Sequence, residues 1–292
     1  MDKSVTVPSL IWTCRDRSLS LGVRTHVMGI LNCTPDSFSD GGRFVDQRAA
    51  IAHGLQMIED GADIVDVGGE STRPGSLPVS AEEESDRVLP VVAALREQSN
   101  ALISVDTRKA EVAAAACRAG AHIVNDVSAC SDDPDILDVI REEGVGVVLM
   151  HMRGQPASMQ DRPVYHDVVG FVSSYLAERL AVAREKGIPA DRVALDPGIG
   201  FGKTLEHNLD LIAGIDILRQ IGRPVLMGVS RKSFLQGLTG RPVEQRLAGS
   251  MAAHALCVAR GANILRVHDV KETCDVVAIA DMLKARWESL NT

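Results

Sequence analysis

Polar residues suited to metal or anion binding follow a short apolar run near the N-terminus. The run 27–31 leads into the loop 32–42, which reads NCTPDSFSDGG. Pro35 and the Gly41-Gly42 pair prevent a helix or strand from continuing, so this pattern predicts a buried strand that delivers a loop. A surface turn held by an Asx hydrogen bond is an equally open interpretation of this segment alone. The loop residues that could hold a metal ion or an anionic group are Asn32, Asp36, Ser37 and Asp40.

The same alternation of apolar run and polar loop recurs to the end of the chain. Eight β-branched or aliphatic runs predict strands, at 27–31, 63–67, 102–106, 122–125, 145–151, 193–196, 225–229 and 264–267. Segments with helical periodicity lie at 47–59, 81–96, 109–119, 134–143, 168–186, 209–220, 244–260 and 271–287. Eight strand–helix units in about 250 residues predict an α/β fold, a (β/α)8 TIM barrel, with a doubly wound open sheet as the alternative.

One domain over residues 1–292 is expected, because no linker or shift in composition divides the chain. Residues 1–26 form an extension in which 10–13 and 18–22 flank a polar turn at 15–17. We interpret the extension as an N-terminal β-hairpin that closes the floor of the barrel.

Composition excludes several classes of protein. The chain has 292 residues, 45% of them apolar, and a net charge of −8, which disfavours general binding of nucleic acid or of an anionic membrane surface. No apolar run approaches the roughly 18 residues of a membrane span, and the N-terminus lacks the apolar core of a signal peptide, so a cytoplasmic location is expected. Six cysteines without a CxxC pair predict reduced thiols rather than a disulfide framework or a zinc site.

Polar residues stand where every predicted strand ends. A single aspartate or asparagine there could be a helix N-cap, but eight convergent strand ends favour an active site, since barrel enzymes place their chemistry at this edge. The strand ends carry Asn32, the segment 68–74, Asp106-Thr107, Asn125-Asp126, His151, Asp196, the segment 230–233, Arg266 and His268.

Two kinds of chemistry can be separated within this ring. Asp106, Asn125 and Asp196 are acceptors that suit a planar heterocycle with an amino group and ring N–H donors, because a buried carboxylate without a donor would be costly. The second set is basic or amide-bearing and suits pyrophosphate and an anionic second substrate, with an asparagine oxygen available to Mg²⁺. Its members are Asn32, Arg73, Arg231, Lys232, Arg266 and His268.

These motifs resemble those of the dihydropteroate synthases, a pterin-binding TIM-barrel family, over about residues 24–286. The matching segments read MGILN (28–32), TPDSFSDGG (34–42), GGESTRPG (68–75), SVDT (104–107), ND (125–126), LMHM (149–152), LDPGIGFGK (195–203), SRKS (230–233) and RVHD (266–269). The resemblance implies transfer of a dihydropterin-methyl group from its pyrophosphate ester to p-aminobenzoate, by SN1-like loss of pyrophosphate. It also implies Mg²⁺ as cofactor, small-molecule substrates and a homodimer.

The resemblance assigns the following residues. The pterin site would use Asp106, Asn125, Met150, Asp196, Phe201 and Lys232. Pyrophosphate would meet Asn32, Arg73, Arg266 and His268, with Mg²⁺ at Asn32. Phe38, Thr72, Pro74, Arg231 and Ser233 would contact p-aminobenzoate, and Asp40, Arg73, Asp106 and Lys232 would take part in catalysis.

Other functions compete with this one. A pterin-binding methyltransferase would share the acceptors but has no use for the loop 34–42, and a catalytically silent pterin-binding paralogue would be expected to have lost Asn32, Arg73, Lys232 or His268. A Schiff-base aldolase is the weakest, because no apolar cluster surrounds Lys232 in the sequence. One departure from the family falls at Ala129-Cys130, where glycine is expected, and could shift the loop beside the pterin.

Overall fold

Eight parallel strands form a barrel, with helices packed around it. The computed structural model describes residues 10–34, 43–71, 76–154, 159 and 163–290. A hairpin of β1 (Leu10–Cys14) and β2 (Arg17–Leu21) precedes the barrel strands, which are β3 (His26–Asn32), β4 (Ile64–Gly68), β5 (Leu102–Asp106), β6 (Ile123–Asp126), β7 (Gly146–Met150), β8 (Val193–Asp196), β9 (Leu226–Met227) and β10 (Ile264–Val267).

Helices follow the barrel strands, and two strands are followed by a pair of helices. They are α1 (Arg43–Glu59), α2 (Ala81–Gln98), α3 (Ala110–Ala119), α4 (Ile136–Glu143), α5 (Val168–Glu185), α6 (Leu205–Ala213), α7 (Ile215–Arg219), α8 (Ser233–Thr239), α9 (Leu247–Arg260) and α10 (Val270–Leu290). None of the described helices combines the length and the apolarity that crossing a membrane requires.

Parallel pairing runs almost completely around the barrel. The hydrogen-bonded order is β8-β7-β6-β5-β4-β3-β10-β9, and every pair in it is parallel. Leu195 of β8 forms a parallel bridge with Val225, and its N–H donates to the carbonyl of Pro224 at 2.8 Å, which joins the first and last strands of that order. The predicted TIM barrel is confirmed, and the open sheet is excluded.

The hairpin seals the amino-terminal end of the barrel, as the sequence predicts. Trp12, Cys14 and Leu21 are fully buried against a layer of apolar side chains at the start of the barrel strands. The Trp12 indole N–H donates to the carbonyl of Arg192 at 3.0 Å, so its polar atom is satisfied inside this apolar layer. Closing this end leaves the carboxyl ends of the strands as the open end of the barrel.

Several predicted boundaries differ from the observed ones. The predicted helix 209–220 begins instead at Leu205, because Thr204 caps it by accepting from the N–H of His207, and it breaks at Gly214 into two helices. Residues 225–229 form a strand of only two residues, beside a proline that cannot donate to the ladder. The helix α8 was not predicted, and α9 begins three residues later than expected, after a 3-10 turn.

Candidate active site

Strand register places several predicted site residues in one row at the open end of the barrel. Asn32 pairs with Gly68, Gly68 pairs with Asp106, and Asp106 pairs with Asn125. A side-chain carbon at Gly68 would lie 4.0 Å from Asn32 Oδ1 and 3.9 Å from Asp106 Oδ2. The absence of a side chain at Gly68 therefore leaves Asn32 and Asp106 on either side of an open position between two strands.

The guanidinium of Arg266 crosses the barrel to two carboxylates. Its Nε donates to Asp66 Oδ2 at 2.6 Å, and its Nη2 donates to Asp106 Oδ2 at 2.7 Å. Asn125 Nδ2 donates to the same oxygen of Asp66 at 2.9 Å. Asp66 Oδ1 is buried and has no hydrogen-bond partner among the described residues, so one acceptor within this cluster is unmet.

Burial makes the two predicted carboxylates of the site harder to ionise. It raises the pKa of Asp106 to about 7, although the charge of Arg266 opposes the rise. Burial also raises the pKa of Asp196, against the opposing effect of the Gly198 N–H, which donates to Asp196 Oδ1 at 2.7 Å. A ligand that brings N–H donors would stabilise the ionised form of both groups.

Lys232 and Phe201 stand together beside Asp196. Lys232 Nζ donates to the carbonyl of Ile199 at 2.6 Å and lies 4.2 Å from the centre of the Phe201 ring. Burial lowers the pKa of Lys232 to about 8, while the charge of Asp196 counteracts it. Met150 is buried at the end of β7, where it pairs with Asp196. The predicted pterin residues from β5, β6, β7 and β8 thus reach one end of the barrel.

His268 is oriented by a neighbouring serine. Ser230 Oγ lies 3.0 Å from His268 Nδ1 and accepts from the His268 backbone N–H at 3.2 Å. His268 lies two residues before α10, whose N-terminus carries the positive end of the helix dipole. An imidazole at this position is suited to an anionic ligand.

Arg231 has a partner that the sequence does not suggest. Its Nε donates to Asp269 Oδ2 at 3.0 Å, and its Nη2 contacts the other oxygen of the same carboxylate. Arg231 has a φ of +53°, and its N–H donates to Ser250 Oγ at 2.9 Å. This ion pair links the segment after β9, which carries Ser230, to the segment after β10, which carries His268.

The segment 68–74 after β4 is the second predicted loop, and ion pairs and hydrogen bonds hold its first residues in place. Glu70 accepts from Arg108 Nη2 at 2.6 Å and from Lys109 Nζ, both of which closely follow Asp106. Lys109 also contacts buried Glu84 of α2, and Arg87 Nη1 donates to the carbonyl of Gly69 at 2.7 Å. These contacts connect the base of this loop to the strand end that carries Asp106.

Seven predicted residues lie outside the described part of the chain. They are Asp36, Ser37, Phe38 and Asp40 of the first loop and Thr72, Arg73 and Pro74 of the second. Ser233 is described and is the first residue of α8.

The departure at Ala129-Cys130 has a structural basis. Both residues have positive φ, 53° and 57°, a conformation that glycine adopts most readily. Asp126 compensates, because its two carboxylate oxygens accept from the N–H groups of Ser128 at 2.7 Å and Cys130 at 2.9 Å. Asp126 therefore stabilises a turn, next to Asn125 of the candidate site.

Sequence reasoning missed Asp66 and misplaced Arg266. Asp66 interrupts the apolar run of β4, and a carboxylate within a fully buried strand is itself a signal, because it requires a charged partner. Arg266 was expected to lie opposite the acceptors with the pyrophosphate-binding groups. The structure instead places its guanidinium among the acceptors, where it offsets the charge of Asp66 and Asp106.

Comparisons with known proteins agree with this geometry. The family model described as "Pterin binding enzyme" matches residues 28–268. Dihydropteroate synthase of Escherichia coli K12 is 46% identical over 256 residues, covering 88% of this chain and 90% of that protein. This chain belongs to the dihydropteroate synthase family of pterin-binding enzymes.

Solved structures of family members have the same fold. Xanthomonas albilineans dihydropteroate synthase with 4-aminobenzoic acid superposes with a TM-score of 0.89 at 48% identity, over 95% of this chain and 99% of that one. The enzyme of the same organism in complex with 7,8-dihydropteroate gives a TM-score of 0.85 at 46% identity, over 94% and 99%. The ring of polar strand ends therefore lies in a barrel that this family shares.

Replacing Asp66 by asparagine tests the buried ion cluster. Asp66→Asn removes a charge that faces Arg266 without changing the size of the side chain. We expect the free energy of unfolding to fall by about 3 kcal/mol, because a buried guanidinium loses one of its two ionic partners. Urea denaturation followed by circular dichroism measures this change.

The matched control is Asp16→Asn. The Asp16 side chain is 57% exposed, and its Oδ2 lies 3.3 Å from Arg96 Nη2. Loss of this surface ion pair should lower the free energy of unfolding by less than about 1 kcal/mol. Equal, small effects of the two substitutions would show that the Arg266 cluster does not stabilise the fold.

Proposed function

We propose that this protein is a dihydropteroate synthase, which joins 6-hydroxymethyl-7,8-dihydropterin pyrophosphate to p-aminobenzoate and releases pyrophosphate. The observation that carries the proposal is the ring of buried acceptors around Arg266 at the open end of the barrel. Family membership supplies the reaction class, and this ring supplies a site suited to the pterin.

Recognition of the pterin would follow from acceptors at the carboxyl ends of three strands. A pterin presents an amino group and ring N–H donors along one edge, and Asp106, Asn125 and Asp196 offer acceptors from three neighbouring parts of the ring. Lys232 presents a donor for the pterin carbonyl and ring nitrogens. Phe201 and Met150 provide apolar surface for the two faces of the heterocycle.

The pyrophosphate would lie near Asn32 and His268. His268 Nδ1 contacts Ser230 Oγ, which fixes the imidazole near the α10 N-terminus, and that terminus favours an anion. Arg73 of the second loop is expected to add a bidentate contact. Arg266 contacts carboxylates on its Nε and Nη2 sides, so any contact with pyrophosphate uses its remaining donors.

We propose that Mg²⁺ binds at Asn32, whose amide oxygen borders the open position at Gly68. Among the described residues, no group of three or more histidine, cysteine or acidic side chains could hold a metal ion. Mg²⁺ in phosphate-transfer sites commonly has few protein ligands and shares oxygens of the substrate and water. The amide oxygen of Asn32 would hold it, and the bound ion would offset negative charge on the leaving pyrophosphate.

Catalysis follows from where charge develops. As the bond to pyrophosphate breaks, positive charge spreads into the pterin ring, and the carboxylates of Asp106 and Asp196 stabilise it through the N–H edge. Negative charge grows on the leaving group, where Arg73 and His268 stabilise it. The aromatic amine is neutral at pH 7 and attacks the methylene carbon without a dedicated base, and its proton leaves to solvent.

The second substrate would enter over the pterin. Ser233 at the start of α8 would donate to the carboxylate of p-aminobenzoate, and the two loops with Phe38, Asp40, Thr72 and Pro74 would close around it. Closure excludes water from the reacting carbon, which prevents hydrolysis of the pterin pyrophosphate.

A synthesis assay tests the proposal. The protein is incubated with the pterin pyrophosphate, Mg²⁺ and p-aminobenzoate, and the products are quantified by chromatography. We expect 7,8-dihydropteroate and pyrophosphate to form in equal amounts. Absence of dihydropteroate formation by the wild-type protein would refute the proposed function.

The Asp196→Asn variant tests the pterin site. This substitution should weaken pterin binding by about 1.5 to 3 kcal/mol, because an ionised acceptor is lost.

Asp191→Asn is the control for the Asp196 variant. Asp191 lies just before the same strand, at the floor of the barrel, where it accepts from the Thr13 hydroxyl at 2.8 Å. Its replacement should leave pterin affinity unchanged, because the hydrogen bond lies at the opposite end of β8. If a folded Asp196→Asn variant bound the pterin with wild-type affinity, Asp196 would only accept a hydrogen bond from the following turn and would not recognise the pterin.

We also propose a homodimer through α9 and α10. Leu256 of α9 and Ile279, Met282 and Leu283 of α10 are 60%, 64%, 73% and 47% exposed, and the two helices pack side by side. An exposed apolar surface of this kind is typical of a subunit interface.

The mass in solution tests the dimer. Light scattering should give about twice the chain mass of 31.2 kDa, and Ile279→Glu should halve the measured mass. A wild-type monomer at micromolar concentration would contradict the dimer.

A further inference from the structure

A second buried lysine lies outside the set of residues that would touch the substrates. Lys203 is 3% exposed, and its Nζ contacts three acceptors, which are His151 Nδ1 at 3.0 Å, the Phe201 carbonyl at 3.0 Å and the His151 carbonyl at 3.3 Å. An ammonium group has three N–H donors, so each acceptor can be matched by one donor. None of these three contacts is with a carboxylate, which is unusual for a buried lysine.

The acceptors belong to two segments that carry the apolar surfaces of the proposed pterin site. His151 directly follows Met150 at the end of β7, and Phe201 lies in the segment 197–203 after β8. Lys203 therefore ties the backbone beside Met150 to the backbone of Phe201. Lys232 Nζ lies over the Phe201 ring, whereas Lys203 contacts the Phe201 carbonyl.

The segment 197–203 has little conformational preference of its own. Gly198, Gly200 and Gly202 all have positive φ, at 69°, 84° and 68°. A side-chain carbon at Gly198 would collide with the carbonyl of His151, and one at Gly202 would collide with the carbonyl of Arg153. Glycine permits this close approach but restricts the backbone least, so hydrogen bonds to neighbouring segments must fix the conformation. They include the contacts of Lys203 with His151, the bond from Gly200 N–H to Asn208 Oδ1 at 2.7 Å and the bond from the Tyr165 hydroxyl to the Gly202 carbonyl at 3.1 Å.

We propose that Lys203 is a positioning residue, which holds the Phe201 segment against the end of β7 and so sets the width of the pterin pocket between Met150 and Phe201. The inference rests on the proposed function, because it concerns the affinity of that site for the pterin. It assigns no contact between Lys203 and a substrate.

The charge state of Lys203 changes near neutral pH. Burial lowers its pKa to about 7, against the charge of Asp196, which raises it. Above that pH the neutral amine has two N–H donors for three acceptors, and its lone pair faces one of them. His151 stays neutral throughout, since burial lowers its pKa to about 3. The other charged groups that face this region are Arg153, Asp196 and Lys232.

The test replaces Lys203 by methionine, which is unbranched like lysine, is one atom shorter and has no donors. Binding of 6-hydroxymethyl-7,8-dihydropterin pyrophosphate is measured by calorimetry with Mg²⁺ present, and the KM for p-aminobenzoate is measured by the synthesis assay. Lys203→Met should weaken pterin binding by about tenfold and leave the KM for p-aminobenzoate unchanged. Lys186→Met, at a side chain 46% exposed after α5, should change neither value.

The pH dependence separates positioning from a general loss of structure. The ratio of the variant Kd to the wild-type Kd should be largest near pH 6 and should shrink by about pH 8.5, as the wild-type amine loses its third donor. A ratio of one, or a ratio independent of pH, would overturn the inference, while pterin binding by the wild-type protein would keep the proposed function intact.

A second variant decides the question if Lys203→Met does not fold. His151→Phe keeps an aromatic ring among Tyr165, Phe171 and Tyr175, whose ring centres lie 4.9 to 6.1 Å from that of His151, and removes one acceptor of Lys203. It should weaken pterin binding by a few-fold with an unchanged KM for p-aminobenzoate. Unchanged pterin affinity in this folded variant would overturn the inference.

Discussion

The guanidinium of Arg266 makes the rest of this site possible. Asp66 and Asp106 are carboxylates inside a barrel, and neither could remain there as an anion without a charged donor. Arg266 meets both from a strand across the barrel, at 2.6 and 2.7 Å. With one positive charge shared by two carboxylates, the cluster retains an excess of acceptors, and that excess is what a ligand rich in N–H donors would satisfy.

The barrel supplies the geometry for this cluster. Parallel register aligns Asn32, Gly68, Asp106 and Asn125 in one row, so residues far apart in the chain reach a common surface without a contribution from loop conformation. The hairpin plug around Trp12 closes the other end and confines the chemistry to the carboxyl ends of the strands. Rigid strand ends thus hold the groups that we propose for the pterin.

Sequence patterns predicted much of this arrangement for a physical reason. A buried strand of a parallel barrel is a continuous apolar run, so its end, and the polar residue there, can be located directly, as at Asp106, Asn125 and Asp196. The short strand β9 and the helix α8 were less predictable, because few residues carry each signal. The contacts of Arg266 and Arg231 with carboxylates and of Lys203 with His151 could not be predicted, since each joins elements distant in sequence, and only Asp66 gave a local hint.

The affinities of two heterocycles show whether buried acceptors recognise the N–H edge of the pterin. Calorimetry should compare 6-hydroxymethylpterin with 6-hydroxymethyllumazine, which carries a carbonyl oxygen in place of the 2-amino group and is otherwise of the same size. We expect the pterin to bind at least about 100-fold more tightly, because the lumazine places an acceptor against carboxylates. Equal affinities for the two compounds would contradict it.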